Sequence, residues 1–300
     1  MRGCIEMKDF SFWTEYEGAS EGSGRSEKIW LMNPDTEQVG LFKFKKDVAT
    51  TDHVSECIAC DLAQLLNIPC AKFELGTYKG REGSMSYNIV DRRGMVLIEG
   101  IYCISTIYRS FDADRLIDVE TGDRYSIEMI KTALETLHLF EDFLPVLIFD
   151  FLIGNTDRHQ SNWALILEQG NMKLSPLYDN SSSLCAYVKE EKVSQYLGKD
   201  RLMWKSLIET KSRSIIRISC KDQKQPTHLE VLRYLKDNYY LQTKDFAKMT
   251  VTTVTETAVC DILNKYGEIL SPKRQELIKR YLLSKVQLLE TVYKEGEDVS

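Results

Sequence analysis

Three oxygen-bearing side chains, Asp157, Asn162 and Asp179, lie at spacings that suit a divalent cation. Asp157 and Asn162 are five residues apart in a polar segment, and Asp179 closes the later segment Pro-Leu-Tyr-Asp. Carboxylate and amide oxygens suit Mg²⁺, which takes one or two protein carboxylates and completes its shell from phosphates and water. In phosphoryl transfer, Asp-x-x-x-x-Asn supplies a base and a metal ligand, and a second Asp holds another metal. The alternative is an Asp/Asn-rich turn that bonds only to its own backbone.

A lysine and a glutamate upstream fit the same chemistry. Lys43 lies mid-strand in LFKFK, and Glu56 follows thirteen residues later in a helical pattern. A strand lysine oriented by a helix glutamate binds the α- and β-phosphates in kinases. Lys45 and Lys46 are rival assignments, and an edge-strand lysine with a solvated glutamate is the alternative. Backbone amides of the small-residue loop 18–24 can cover phosphates, although the loop is not G-x-G-x-x-G and also suits a plain hairpin turn.

The predicted secondary structure that must position these residues is mainly strand in the first part of the chain and mainly helix in the later part. Periodicity two predicts strands over 10–50 and 70–92, and periodicity 3.6 predicts a helix over 51–67 between them. The later predicted elements are helices at 126–140, 141–153, 228–240, 255–266 and 272–293, and two short strands, WALIL and MKLSPL, between 163 and 177. The expected fold is α+β and two-lobed. We expect an antiparallel sheet with one helix in residues 1–92 and a mainly helical lobe in residues 93–300.

Composition narrows the class of protein. The 300 residues carry a net charge of −6, which disfavours a general nucleic-acid binder. No run of apolar residues is long enough for a transmembrane helix, and the first twelve residues have no apolar signal region. We therefore expect a cytoplasmic protein with reduced cysteines, with secretion by a non-classical route left open. Cys57 and Cys60 have C-x-x-C spacing without a second metal-binding pair, which favours two apolar helix residues over a zinc site.

The segment N-x-D-R-H-x-x-N-W followed by L-Y-D resembles the HipA-like serine/threonine kinases, and the shorter stand-alone members most of all. SMSYNIVDR, LFKFK and SECIACDLAQLLNI extend the resemblance over residues 10–200, and the later helices agree only in general character. The resemblance implies a two-lobed kinase-like fold with ATP and Mg²⁺ as cofactors. It implies transfer of the γ-phosphoryl group to Ser or Thr of a protein, including the chain itself. Ser20, Ser23 and Ser26 would be the candidate sites of self-phosphorylation.

Residue by residue, the resemblance implies Asp157 as catalytic base, with Lys43 on the phosphates and Glu56 as its partner. Asn162 and Asp179 would bind Mg²⁺. The backbone of Asn88, Ile89 and Val90 would contact adenine, with Asp91 near the ribose. The complete nucleotide site would comprise Ala19, Ser20, Gly22, Ser23, Gly24, Lys43, Asn88, Ile89, Val90, Asp91, His159, Asn162, Tyr178 and Asp179. His159 is expected to position groups or contact nucleotide rather than act as a base, and its alternative is a loop histidine bonded to backbone.

Departures from the pattern leave other interpretations open. The chain has no H-R-D, D-F-G or A-P-E, so an ordinary eukaryotic-type kinase is not expected. It begins almost at the kinase region, which leaves the toxin role and an antitoxin-like partner uncertain. NTDR with Asp179-Asn180 is also similar to type II phosphoinositide 4-kinases. A lipid headgroup could then meet the nine Lys and Arg of residues 201–236, which outnumber three Asp and Glu. A nucleotide-binding pseudokinase acting by protein contact is the non-enzyme alternative.

Overall fold

In a computed structural model, the chain is described over residues 5–17, 27–47, 49–90 and 94–295. A sheet with one helix forms the N-terminal part, and helices dominate the remainder, so the predicted α+β arrangement is confirmed. The strands are β1 (Lys8–Asp9), β2 (Thr14–Glu15), β3 (Lys28–Met32), β4 (Val39–Phe44), β5 (Phe73–Tyr78), β6 (Arg81–Tyr87), β7 (Met95–Glu99), β8 (Phe111–Asp112), β9 (Ile117–Asp118), β10 (Ala164–Glu168) and β11 (Asn171–Leu174). The helices are α1 (Asp52–Leu65), α2 (Gly100–Ile107), α3 (Ile127–Glu135), α4 (Phe140–Ile153), α5 (Glu190–Tyr196), α6 (Arg201–Lys205), α7 (His228–Thr253), α8 (Glu256–Asn264) and α9 (Pro272–Lys294). Among the described residues, no helix is both long and apolar enough to cross a membrane.

The N-terminal sheet has the order β1-β5-β6-β4-β3-β2. Along β4 the side chains alternate, so Phe42 and Phe44 are buried in an aromatic cluster on one face while Lys43 projects from the other. The expectation of an antiparallel sheet holds except at one edge, where β1 pairs in parallel with β5. The expected strand over 10–18 is also interrupted. Phe10 and Trp13 are both buried and pack edge to face at 5.5 Å, and this turns the chain between β1 and β2.

Helix α1 lies close to its predicted range and is buried on most of its surface. It packs against β5 and β6, with Val54, Ile58 and Leu62 in the main core. Glu56 lies on this helix with no exposed surface at all. A fully buried carboxylate needs partners, because an ionised group without them is very unstable in the interior. The helix therefore places a charge whose partners must come from neighbouring elements.

A three-stranded sheet, β11-β10-β7, interrupts the helical part. The hairpin of β10 and β11 confirms the two strands predicted there. Strand β7 was not predicted, because its partner β10 is distant in sequence and its five residues alone carry little strand signal. Its register places Glu99 opposite Ala164, directly after Trp163. The sheet thus brings the start of α2 beside the polar segment that precedes β10.

Helix α4 is the centre of the helical part. Eleven of its fourteen residues are buried, and it packs against α7 and α9. Its predicted range, 141–153, is confirmed at the C-terminal end. Helix α7 runs to Thr253, well beyond the predicted end at residue 240, with non-helical backbone angles at Tyr239. Tyr239 packs on Phe140, so the contact with α4 continues where the helix kinks.

Gly154 ends α4 and turns the chain toward the polar segment. Its φ is +66°, a left-handed conformation that glycine adopts without strain. A Cβ atom here would lie 2.0 Å from the hydroxyl oxygen of Tyr281, on helix α9. Both backbone conformation and space therefore require glycine at this junction.

We predict that Gly154→Ala destabilises the fold by about 2–5 kcal/mol, the sum of left-handed strain and overpacking. Gly170→Ala is the matched control, since Gly170 has a φ of +82° with nothing within 4 Å of an added Cβ. It should cost only the strain, about 1–2 kcal/mol. Urea unfolding of both variants measures the difference. Equal losses would show that Tyr281 does not restrict position 154.

Candidate active site

Lys43, Glu56 and Asp179 meet between the N-terminal sheet and the helical part. The Nζ atom of Lys43 lies 3.0 Å from Oδ1 of Asp179 and 3.5 Å from Oε2 of Glu56. Glu56 also accepts a 2.6 Å hydrogen bond at Oε1 from the backbone N–H of Asn180. The helix glutamate thereby holds both the strand lysine and the segment that carries Asp179. The structure brings together three side chains that lie far apart in sequence.

The charges of this triad depend on one another. Burial opposes ionisation of Asp179, but the ammonium group of Lys43 overcomes it and holds the Asp179 pKa at about 2. Burial alone would lower the pKa of Lys43, whereas the carboxylates of Asp179 and Glu56 raise it above its ordinary value. Burial raises the pKa of Glu56, opposed by Lys43 and by the Asn180 N–H. Asp179 is therefore an anion at neutral pH.

Asp157 and Asn162 lie in the loop between α4 and β10. The side-chain amide of Asn162 donates to the backbone carbonyl of Asp157 at 2.7 Å, and the N–H of Asp157 donates to Asn155 Oδ1 at 3.1 Å. These bonds fix the loop backbone and leave the Asp157 carboxylate partly exposed. Burial raises the pKa of Asp157, while the charges of His159 and Lys46 oppose the rise. A carboxylate with a raised pKa is a stronger proton acceptor.

The buried side chain of Arg158 connects the loop that carries Asp157 with the loop that carries Asp179. It is 1% exposed and forms a two-bond pair with Asp150 of α4, from Nε at 3.0 Å and from one Nη at 2.8 Å. The remaining donors reach the carbonyls of Asn162 and Tyr178 at 2.9 Å and Oδ1 of Asn180 at 2.6 Å. One buried guanidinium thus ties the Asp157 loop, the Asp179 loop and the core helix together.

Asp179 itself has a φ of 52°, a left-handed conformation that aspartate tolerates better than most residues. Its Oδ1 accepts from the Ser181 hydroxyl at 3.2 Å as well as from Lys43. About a third of the Asp179 side chain stays exposed. Asp179 and Asn162 together offer one carboxylate and one amide as oxygen donors. That donor set fits Mg²⁺, which completes its shell from phosphate and water.

The remaining predicted residues surround this centre. Tyr178 donates from its hydroxyl to the carbonyl of Ser161 at 3.0 Å, and His159 accepts at Nδ1 from the Ser161 N–H at 3.2 Å. The Asn88 side chain binds both backbone groups of Val90, at 2.8 and 3.1 Å. The chain therefore turns back on itself in the segment that is expected to form the hinge, and Ile89 packs against the main core. Six further residues predicted for the nucleotide site lie outside the described residues, namely Ala19, Ser20, Gly22, Ser23, Gly24 and Asp91.

The two rival lysines lie elsewhere. Lys45 pairs with Glu82 at 3.0 Å, and Lys46 donates to the Tyr187 hydroxyl at 3.0 Å. Neither forms the contact with Glu56 that Lys43 makes. Strand alternation alone would place Lys45 on the same face as Lys43, but Lys45 lies one residue beyond the end of β4 and pairs with Glu82 instead of Glu56.

A buried hydrogen-bond chain supports the Asp157 loop from helix α9. Lys285 Nζ donates to Ser212 Oγ at 2.9 Å, Ser212 lies 2.9 Å from His228 Nδ1, and His228 Nε2 lies 2.8 Å from the carbonyl of Asn155. A carbonyl only accepts, so Nε2 carries the proton and Nδ1 accepts from Ser212. Burial lowers the pKa of His228 to about 3, which agrees with this neutral form. Burial also lowers the pKa of Lys285 to about 7.

The contacts of Arg158, Asp150, Asn155 and Asn180 were not predicted from the sequence. One signal was available, since Asp150 is a carboxylate inside an otherwise apolar helix and such a group needs a buried partner. Lys285 carried no such signal, because a lysine on a helix with a polar face is ordinary. Its burial follows from the packing of α9 on α4 and on the segment around Ser212.

Comparison with known proteins identifies the family. The family described as HipA-like C-terminal domain matches residues 20–233, more than half of the chain, and the chain belongs to this family. Family membership supports a kinase-type enzyme. No curated protein matches the sequence.

Solved structures with a similar fold include the following two. A proinflammatory kinase, CtkA, of Helicobacter pylori superposes with a TM-score of 0.80 at 17% identity, covering 98% of this chain and 100% of that one. HipA of Shewanella oneidensis MR-1, from a toxin–antitoxin complex with HipB and operator DNA, superposes with a TM-score of 0.61 at 13% identity. That match covers 98% of this chain and 70% of HipA. At these identities the likeness establishes the kinase-like fold, as predicted.

Lys285 gives the folding stability a specific pH dependence. With a pKa of about 7 in the folded state and 10.5 as its ordinary value, Lys285 is protonated only in the unfolded chain between those values. The contribution of Lys285 to the free energy of unfolding therefore rises from pH 7 toward pH 10. Relative to Lys285→Met, which cannot titrate, the wild type should gain about 2–3 kcal/mol between pH 6.5 and 9.5.

Urea unfolding of both proteins across this range measures the gain. Lys279→Met is the matched control on the same helix, where Lys279 pairs with Glu276 at the surface and has a raised pKa. The control should show no such gain. A difference between wild type and Lys285→Met that is constant with pH would contradict the buried, proton-releasing lysine.

Proposed function

We propose that the chain is a kinase that uses ATP and Mg²⁺ to phosphorylate Ser or Thr hydroxyls of proteins. The observation that carries the proposal is the meeting of Lys43, Glu56 and Asp179 beside the loop of Asp157 and Asn162. Phosphoryl transfer demands positioning and charge stabilisation more than covalent chemistry. This cleft supplies a fixed cation, a fixed anion and a partly exposed carboxylate.

Lys43 would bind the α- and β-phosphate oxygens, and Glu56 would hold its ammonium group in place. Glu56 suits this role because it is rigidly buried and also bonded to the Asn180 N–H. Asp179 and Asn162 would ligate Mg²⁺. The metal, when bound, would neutralise charge on the transferring phosphoryl group. Lys43 and Asp179 already form an ion pair. The lysine of this pair would bind phosphate, and the aspartate would bind the metal.

Asp157 would accept the proton of the acceptor hydroxyl. Its carboxylate is partly exposed, and burial raises its pKa, so it can both meet a protein side chain and take up a proton. His159 would act on nucleotide position rather than as the base, since its Nδ1 is occupied by the Ser161 N–H.

Protein is favoured over lipid as the acceptor. The basic segment 201–236 would need free cations to bind a lipid headgroup. Several of them are already engaged, with Lys205 on Glu209, Lys221 on Asp123 and Arg213 on the carbonyl of Gln225. Incubation with γ-labelled ATP and Mg²⁺, alone and with lysate or phosphatidylinositol vesicles, tests the proposal. Label on protein supports it, and label on lipid, or bound nucleotide without transfer, contradicts it.

We predict that Asp157→Asn and Asp179→Asn each lower phosphoryl transfer by at least about 100-fold, since they remove the base and a metal ligand. Both changes keep the shape of the side chain. Asp142→Asn, at an exposed position of α4, is the control and should keep wild-type activity. Circular dichroism verifies that each variant folds. Undiminished transfer by both active-site variants would refute the assignment.

Lys43 and Lys45 provide a second matched pair. Lys43→Met should weaken Mg-ATP binding by about tenfold or more, because a charge-assisted bond to phosphate is lost. Lys45→Met should leave binding unchanged, because that ammonium group pairs with Glu82. Isothermal titration calorimetry measures both. A larger loss of affinity in Lys45→Met than in Lys43→Met would show that Lys45, and not Lys43, binds the phosphates.

A further inference from the structure

Cys60 and Cys70 form a pair of thiols in contact with each other, outside the candidate active site. Cys60 lies on α1, and Cys70 lies in the segment between α1 and β5. The Cys70 thiol donates a hydrogen bond to the Cys60 sulfur. The Cys60 thiol in turn donates to the carbonyl oxygen of Ala71, the residue next to Cys70, at 3.2 Å. Both cysteines are free, so the pair is a reduced dithiol.

A cavity of about 380 Å³ gives small molecules access to Cys60. Cys57 and Cys60 of α1 line this cavity together with the exposed side chains of Gln64 and Lys72, so it is open to solvent. Only 5% of Cys60 is exposed, but a molecule as small as hydrogen peroxide reaches its sulfur through the cavity. Cys70 is itself partly exposed.

The two cysteines that line the cavity differ in reactivity. The hydrogen bond from Cys70 lowers the pKa of Cys60, although burial opposes this effect. Gln64 Nε2 donates to the same sulfur at 3.5 Å. Burial raises the pKa of Cys57 instead. Since the thiolate is the nucleophilic form of cysteine, Cys60 reacts with an oxidant and Cys57 stays inert.

The dithiol also joins two of the elements that hold the candidate active site. Cys60 lies one helical turn after Glu56 on α1. Cys70 pairs with Leu177 in a parallel bridge, and Leu177 precedes Asp179 by two residues. A covalent bond between the two cysteines would therefore act on the positions of Glu56 and Asp179 together.

We propose that Cys60 and Cys70 are an oxidation site at which hydrogen peroxide forms a disulfide, and that this disulfide lowers the activity of the candidate active site. A disulfide is about 2.05 Å long, so its formation draws the two sulfurs together by more than about 1 Å from hydrogen-bonding distance. Glu56 moves with Cys60, and a misplacement of about 1 Å in a catalytic site costs about 100-fold in rate. The effect on activity rests on the proposed function, whereas the disulfide does not.

The oxidation consumes one peroxide molecule for each pair of thiols. The Cys60 thiolate attacks one peroxide oxygen, the O–O bond breaks, and the second oxygen leaves as hydroxide, which takes up the proton that Cys60 released. Cys60 is then a sulfenic acid. The Cys70 thiol loses its proton and attacks the Cys60 sulfur, the S–O bond breaks, and the hydroxyl group leaves with that proton as water. Two thiols are oxidised, and the peroxide is reduced to two water molecules.

Peptide mapping by mass spectrometry after treatment with a small excess of hydrogen peroxide tests the site. The proteins are the wild type, Cys60→Ser, Cys70→Ser and the matched control Cys57→Ser, and circular dichroism verifies that each folds. The wild type and Cys57→Ser should gain the disulfide between Cys60 and Cys70. Cys60→Ser should gain no disulfide at Cys70. Cys70→Ser should accumulate the sulfenic acid on Cys60, where dimedone traps it.

Phosphoryl transfer from γ-labelled ATP, measured before and after the same treatment, tests the effect on activity. Oxidation should lower transfer by the wild type and by Cys57→Ser at least about tenfold, and dithiothreitol should restore it. Cys60→Ser should keep after treatment the activity that it has before, because it cannot form the disulfide.

The outcomes separate the inference from the proposed function. Peroxide treatment that leaves Cys60 and Cys70 as thiols, or that joins other cysteines instead, overturns the oxidation site. A mapped disulfide with unchanged transfer refutes the effect on activity. Absence of transfer by the reduced wild type refutes the proposed function, while the peptide map still decides whether the disulfide forms.

Discussion

The buried guanidinium of Arg158 is the interaction on which the candidate site depends. A cation in the interior is tolerated only when its donors are satisfied, and Arg158 reaches Asp150, two backbone carbonyls and Asn180. Those acceptors belong to α4, to the Asp157 loop and to the Asp179 loop. The requirement to satisfy one charge thus fixes the position of the loop that carries Asp157 relative to the loop that carries Asp179. Breaking such a pair from one side typically costs about 3–5 kcal/mol, so the loops are held firmly.

Charge links the N-terminal sheet to this rigid base. Lys43 is supplied by β4, Glu56 by α1 and Asp179 by the helical part, and each lies within an ion-pair or hydrogen-bonding distance of another. Glu56 is central because it binds Lys43 with one oxygen and the Asn180 N–H with the other. Any movement of the sheet relative to the helices would separate these groups. The cleft is therefore assembled by the same contacts that would bind nucleotide and metal.

Much of this could be predicted from sequence, and the failures have physical causes. Asp157, Asn162 and Asp179 could be selected from the sequence because they are polar residues at short spacings next to apolar segments. Lys43 was recognisable because alternation along β4 places its side chain on the other face of the strand from the buried Phe42. Strand β7 was missed because its pairing with β10 is non-local. The domain boundary near residue 92 and the roles of individual site residues stay predictions.

The supporting residues were harder to find than the reactive ones. Arg158 lies in the most polar segment of the chain, where an exposed arginine would be ordinary. The only unusual feature in the sequence was its partner Asp150, a carboxylate within an apolar helix. Lys285 and His228 come from distant helices, and their hydrogen-bond chain to Asn155 exists only in the folded protein. Reactive groups follow local spacing, whereas their supports follow tertiary packing.

We propose that nucleotide and metal bind between Lys43 and the loops that carry Asp157 and Asp179. A crystal structure of the chain with a non-hydrolysable ATP analogue and Mn²⁺, with the metal located by anomalous scattering, tests it most directly. We expect a manganese peak within coordination distance of the side-chain oxygens of Asp179 and Asn162, and phosphate oxygens within hydrogen-bonding distance of Lys43. A nucleotide bound elsewhere, or a metal peak away from both residues, would contradict it.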